Sequence, residues 1–312
     1  MNNLLASAVF TLFVLGLLAL DLGVFHRRAH RVSFREAAIW SAFWVVLSLT
    51  FNFGLYVWRG PEVALEFLTG YILEKSLSMD NLFVFAVILS YMAVPAEDQH
   101  KVLFWGVLGA LVMRAAFIAT GVALISRFHW VLYLFGVFLV VTGARFLRQQ
   151  PQEIHPERNP VLRLARRLFA VTEHYEGASL FVRRGGRILA TPLFLVLVMI
   201  ETTDVVFAVD SIPAVFAVTQ DPFVVYSSNV LAILGLRALY FVLAGAMVRF
   251  RYLRVGLSLV LIFVGTKMLI AGFYKLSILI SLAAICAILA AAILFSMWCK
   301  ERRGEAGSLR KT

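Results

Sequence analysis

Five acidic residues, Glu74, Asp80, Glu201, Asp204 and Asp210, lie inside long apolar stretches of this 312-residue chain. One charged side chain at the centre of a membrane helix costs about 2.5–3.5 kcal/mol. Five facing lipid would cost more than ~12 kcal/mol, comparable with the net stability of many folded domains at ~5–15 kcal/mol. They must face an interior and find counter-charge, protons or a metal ion. Asn81 and Ser211 directly follow Asp80 and Asp210 and add amide and hydroxyl oxygens. Such oxygen donors suit hard cations: Mg²⁺, Ca²⁺ or Mn²⁺. A softer metal would recruit histidine or cysteine. The histidines (His26, His30, His100, His129, His155, His174) fall outside the span centres, and Cys286 and Cys299 sit in the last apolar run. An acidic cluster would also repel an oxyanion. The plainer alternative is a structural ion-pair network with Arg114, Arg237 and Lys267, although five acids against three bases leave a negative remainder.

Helical spacing sharpens the geometry. Glu74, Ser78 and Asn81 follow an i, i+4, i+7 pattern and share one stripe. Asp80 falls off it, about 9 Å along the axis from Glu74, on the side of Ser76. In the later segment Glu201, Asp204, Ala208 and Ser211 share a stripe, with Asp210 off it beside Thr203. A single regular helix therefore cannot aim both of its acids at one ion. Either the helix is interrupted, or two subsites exist at different depths. Pro213 favours interruption, because it lacks an N–H and frees the Val209 carbonyl in the turn that holds Asp210. Asn52 and Asn229 are expected to hydrogen-bond between helices.

The elements that must position these residues are membrane helices. The chain is 61% hydrophobic and 15% charged, against roughly 45–50% and 25% in soluble domains. The excess is gathered into runs of about 20 residues, enough to cross a ~30 Å core. About nine spans are predicted, near 4–25, 36–58, 63–92, 101–126, 129–148, 189–218, 223–248, 253–274 and 276–299. Basic residues cluster in alternate connections, predicting the N-terminus outside and the C-terminus inside. The first run lacks a basic n-region and is followed by basic residues, so it reads as a retained helix rather than a signal peptide. The net charge of +11 is accounted for in this way. No groove-reading motif accompanies it, which excludes nucleic acid as a partner. The lipid bilayer and a divalent cation are the partners expected. An intramembrane aspartyl protease would need a GxGD-type motif, and none surrounds Asp80, Asp204 or Asp210, so an enzyme is not expected.

The acidic segments resemble each other. Glu74-Lys-Ser-Leu-Ser-Met-Asp80-Asn81 is echoed by Asp204-Val-Val-Phe-Ala-Val-Asp210-Ser211, each followed by a Val/Phe/Ala run. Leu108-Gly109 to Arg114 is echoed by Leu234-Gly235 to Arg237, and Gly143-Ala-Arg145 by Gly265-Thr-Lys267. The predicted organisation is an N-terminal two-helix segment (1–60), a three-helix repeat (61–148), a basic cytoplasmic linker lying partly along the membrane (149–188), a second repeat (189–275), and a last helix with a basic tail (276–312). An odd number of helices per repeat makes the repeats inverted, with a site near the midplane where they meet. The linker string Glu153, His155, Glu157 reads as a solvated loop.

The strings Gly70-Tyr71 to Phe85, Ile200-Glu201 to Ala214 and Ser228-Asn229 to Tyr240 resemble the TerC family, most closely its Alx-like members, over nearly the whole chain. The resemblance implies a multi-pass protein of the bacterial inner membrane acting in Mn²⁺ export and metal homeostasis. The family name comes from tellurite resistance, which an acid-rich site makes an indirect link. Carried over by position, the implied metal-site residues are Glu74, Asp80, Asn81, Glu201, Asp204, Asp210 and Ser211. No resident cofactor is implied, Mn²⁺ being the cargo. Proton exchange is a candidate coupling mode, because closely spaced carboxylates share protons when a metal leaves. Two alternatives stay open: a Ca²⁺ or Mg²⁺ substrate, and a non-transporting partner that hands metal to secreted proteins.

Overall fold

A computed structural model of the protein describes residues 2–20, 33–148, 160–184, 186–244, 253–274 and 276–308. Asp21 and the basic segment after it, and the Glu153–Glu157 string, lie outside the described residues. The helices are α1 (Asn2–Leu20), α2 (Phe34–Arg59), α3 (Pro61–Tyr91), α4 (Ala96–Arg127), α5 (Val131–Arg148), α6 (Pro160–Leu168), α7 (Pro192–Phe216), α8 (Pro222–Leu234), α9 (Leu236–Ala244), α10 (Leu253–Ile270) and α11 (Ile278–Ser308). Among the described residues six segments are long and apolar enough to cross a membrane: Phe34–Arg59, Ala96–Arg127, Val131–Arg148, Pro192–Phe216, Pro222–Val242 and Ile278–Ser296. Shorter apolar stretches occur at Ala6–Leu18 and Val255–Ile270. Helix α3 runs 31 residues but carries Glu62, Glu66, Glu74, Lys75 and Asp80. The architecture is that of an α-helical membrane protein.

Helix starts follow local chemistry. Ser33 accepts from the Glu36 N–H at the head of α2, and the Asp221 carboxylate accepts from Phe223 and Val224 at the head of α8. Each meets donors that a helix leaves orphaned in its first turn. Proline opens α3, α7 and α8, where its missing N–H has no cost. Gly60, at φ 95°, makes the sharp reversal between α2 and α3, a conformation that side chains with a Cβ resist.

Two expectations need correction. Helix α7 runs unbroken through Pro213. The proline lies one residue short of the final three, and the Ala217 N–H already bonds to its carbonyl, so the ring disturbs only the end of the helix. The interruption falls in the next span instead, at Gly235 between α8 and α9. There the Lys75 ammonium donates to the Ala232 carbonyl at 3.2 Å, in the last turn of α8 where a helix has no donors of its own left. A Cβ on Gly235 would stand 2.7 Å from Lys75 Nζ and 3.1 Å from Trp44 Cβ. Within the linker, the described residues hold α6 and a hairpin of β1 (Phe181–Arg184) and β2 (Arg187–Ala190), with Phe181 opposite Ala190.

The helices pack α3 on α7 and α8, α4 on α7 and α8, and α5 on α10, with α2, α1 and α11 outside these pairs. The α5–α10 seam is closest. A Cβ on Gly265 would lie 2.7 Å from the Gly136 carbonyl, and one on Gly143 would lie 2.7 Å from the Ser258 carbonyl. Small residues are what let backbones approach in a membrane, where lipid is as apolar as leucine. Gly265→Leu is expected to destabilise the protein by roughly 1–3 kcal/mol, lowering the thermal midpoint in detergent. An unchanged midpoint would show that the seam opens without cost.

Candidate functional site

The centre of the molecule is the Arg114 side chain of α4, only 1% exposed. Its guanidinium forms an ion pair with Glu74 of α3 through Nη1, and Nη2 reaches the Asp204 carboxylate of α7 at 3.2 Å. Nε also points at Asp204, at 3.4 Å, while Nη1 donates to Ser211 Oγ and Asn229 Oδ1, each at 3.1 Å. Asn229 of α8 returns the contact, its Nδ2 donating to Glu74 Oε2 at 3.1 Å. Asn81 Nδ2 donates to Asp204 Oδ1 at 3.4 Å, and Ser78 Oγ lies 3.5 Å from Glu74 Oε1. All of these groups are buried. A charge taken out of water is costly unless paired and hydrogen-bonded, and here a five-donor fork meets two carboxylates, an amide and a hydroxyl.

The contacts fix a register. Glu74, early in the α3 stripe, meets the same nitrogen as Ser211, late in the α7 stripe. Asn81, late in α3, meets Asp204, early in α7. The two segments therefore run antiparallel past each other. Each stripe has an acid at one end and an amide or hydroxyl at the other, about 10 Å apart along the axis.

Of the seven residues singled out from the sequence, Glu74, Asn81, Asp204 and Ser211 come together around Arg114. The other three do not sit on that fork. Asp210 leaves α7 about a quarter-turn from Ser211 and takes a hydrogen bond from Thr142 of α5. Asp80 stands in the same relation to Asn81 on α3, half-buried. With the helices antiparallel, Asp80 lies near the Asp204 level and Asp210 near the Glu74 level, about 9 Å apart in depth. Glu201, one turn before Asp204, lies against Gly109 of α4, where a Cβ would strike its carboxylate. Its Oε2 is buried with no hydrogen-bond partner among the described residues. A single pocket shared by all five acids is thus replaced by a central pair with an acid to either side and Glu201 apart. Among the described residues no three of Asp, Glu, His and Cys form a ready ligand set.

Sequence reasoning placed Arg114 as a counter-charge and Asn229 as an interhelical amide, and each makes those contacts. Lys75 and Thr142 were missed. A lysine inside an apolar run was visible as a signal for the first, whereas nothing local in the sequence pairs Thr142 with Asp210.

Known proteins extend these observations. The Integral membrane protein TerC family matches residues 59–304. The chain is 53% identical over 290 residues (93% of this chain and 91% of the other) to "Uncharacterized membrane protein STKORF319" of Myxococcus xanthus. It is 46% identical over 305 residues, 95% of each chain, to "Putative membrane-bound redox modulator Alx" of Escherichia coli strain K12. It is 37% identical over 289 residues (93% of this chain and 96% of the other) to "Uncharacterized membrane protein" of Rickettsia bellii. No solved structure matches the chain. With the family match covering the helices that carry the buried acid–arginine cluster, this chain belongs to the TerC family of integral membrane proteins.

Proposed function

We propose that the protein exports a divalent cation, Mn²⁺, across the bacterial inner membrane by alternating access. The observation that carries this reading is the meeting of Glu74 and Asp204, from two antiparallel helices, on the Arg114 guanidinium in a buried cluster that also holds Ser78, Ser211, Asn229 and the amide of Asn81. Hard cations are bound by such donors. The two acids are also counterparts in the predicted repeats, with α3, α4 and α5 matching α7, α8–α9 and α10. Exchanging the repeats turns the α3–α8 contact into the α7–α4 contact, and both occur. That pattern supports an inverted pair of repeats, and the basic connections support the N-terminus outside and the C-terminus inside.

Arg114 then acts as a tethered cation that holds the two carboxylates when no metal is bound. Mn²⁺ enters past one flanking acid, displaces the guanidinium from Glu74 and Asp204, and leaves past the other, Asp80 and Asp210 standing at the two depths. Rocking of one repeat against the other changes which side is open. Carboxylates released by the metal recover Arg114 or take up protons, which gives proton exchange as the coupling.

The same oxygen set suits Ca²⁺ or Mg²⁺, and it would equally serve a membrane partner that hands metal to secreted proteins without moving it. Competition among Mn²⁺, Ca²⁺, Mg²⁺ and Fe²⁺ for uptake into inside-out vesicles separates the substrates. Flux in proteoliposomes of the purified protein separates transport from delivery. The name of the Alx relatives speaks of redox modulation. Carried to this chain, it is read here as a consequence of moving a redox-active metal, since the central cluster contains no thiol.

Two outcomes are expected. Asp80→Ala and Asp210→Ala should each reduce Mn²⁺ export by roughly 10- to 100-fold at normal protein levels; full export by both variants would sink the route proposed here. Arg114→Gln leaves two buried carboxylates without their counter-charge, a loss of about 3–5 kcal/mol, so its thermal midpoint without metal should fall. Mn²⁺ should restore more of that midpoint in the variant than it adds to the parent, because it no longer competes with the guanidinium. A variant that Mn²⁺ does not stabilise would argue against metal at Glu74 and Asp204.

A further inference from the structure

Helix α6, in the folded part of the linker, has three distinct faces, one of which is buried in the core among the described residues. On α6, Leu162 and Ala165 are buried against the α7 side of the core. Val161, Leu164 and Leu168 follow an i, i+3, i+7 pattern on a neighbouring stripe and are exposed, Leu168 at 67%. Arg163, Arg166 and Arg167 occupy the remaining arc, all exposed. A solvated surface helix would place polar residues on both free faces. This one keeps an apolar stripe beside its packed face and arginines opposite.

The hairpin repeats the combination. Ile188 is 71% exposed, with Arg187 between it and the tip, and Arg183 is exposed opposite it on the facing strand. Arg184 is paired with Glu176. The unit is held firmly at the mouth of α7. Phe194, in the first turn of α7, lies 5.3 Å from the Phe169 ring and 4.7 Å from the Phe181 ring. The Ala190 N–H donates to the Ala170 carbonyl, and the Thr191 hydroxyl donates to the Ser179 carbonyl at 2.7 Å. Tyr175 donates to the Met92 carbonyl at 2.6 Å, tying the unit to the end of α3. Burial and the nearby Asp98 carboxylate push the Tyr175 phenol up from its ordinary value, which keeps it a neutral donor.

Helix α7 crosses the membrane, so its first turn fixes the height of this unit at the membrane surface. We infer that α6 and the β1–β2 hairpin form a docking surface for anionic phospholipid headgroups. The exposed apolar stripe enters the interfacial region, and the arginines bind lipid phosphates along its rim. Charge complementarity selects this occupant. Residues 160–191 carry six arginines against Glu173 and Glu176, and arginine makes bidentate contacts with phosphate. Each such residue near an anionic surface strengthens binding by about fivefold, and an amphipathic helix adds the burial of its apolar face. The surface is independent of the proposed metal route.

The test uses the full chain in lipid nanodiscs, comparing pure phosphatidylcholine with a phosphatidylglycerol mixture, and follows amide hydrogen exchange over 160–191. Exchange should be slower in the anionic discs. The triple variant R163Q/R166Q/R167Q should lose that difference, while the corresponding lysine variant should keep it. Leu164→Ser with Leu168→Ser should raise exchange in both lipids, with the spans unaffected. Equal exchange in the two disc types, or a triple variant indistinguishable from the parent, would overturn the proposal. Loss of protection by the lysine variant in both disc types alike would assign the arginines a structural role and overturn it too. Protection of detergent-solubilised protein by RNA, without any response to the anionic discs, would make the patch a nucleic-acid surface instead.

Discussion

One guanidinium between two carboxylates, far from water, constrains the rest of the molecule. Arg114 comes from α4, Glu74 from α3 and Asp204 from α7, so the pairing can be satisfied only if three helices hold their separation and register. Asn229 adds α8 to the same knot. Removing Arg114 would leave two carboxylates stranded in a low-dielectric interior, where an unpaired ion is far more costly than a paired one. Lysine could not replace this arginine, because a single ammonium lacks the fork that reaches Glu74, Ser211 and Asn229 on one nitrogen and Asp204 on the other two.

The remaining packing serves that requirement in different ways. At the α5–α10 seam, glycines remove side-chain bulk so that backbones meet directly, and dispersion contacts replace the hydrophobic effect that is missing within lipid. At Gly235 the opposite happens: a span is broken, and a lysine from α3 answers a carbonyl of its last complete turn. A positive charge at a helix C-terminus also complements the macrodipole. Lys75 and Glu74 are sequence neighbours, yet they leave α3 in directions about 100° apart. One helix turn thus anchors both the acid–arginine cluster and the interrupted span.

The antiparallel crossing of α3 and α7 sets the acids of the two stripes at opposite ends of the cluster. Because each stripe carries an acid at one end and a hydrogen-bonding partner at the other, the central pair is flanked by Asp80 on one level and Asp210 on the other. A cation following this line would meet acids in succession rather than all at once. On the route proposed above, this spacing would avoid gathering every carboxylate around one ion, a site that would hold it too firmly to release.

The amino-acid sequence by itself determined that the chain is a helical membrane protein, that acids lie inside two of its apolar segments, and that the donors beside them are oxygens. Those properties are local: run length, apolar content, residue type and the 3.6-residue period are legible in any window of the chain. The stripes Glu74–Ser78–Asn81 and Asp204–Ala208–Ser211 were readable for the same reason. Which acids meet, and what stands between them, was decided by tertiary structure. Pro213 suggested a break that the end of α7 absorbs, while the break falls at Gly235, where Trp44 and Lys75 leave no room for a Cβ. Asp210 chose Thr142, and Glu201 turned toward Gly109. Each outcome depends on which face of a distant helix is opposite, and a one-dimensional period carries no record of its neighbours.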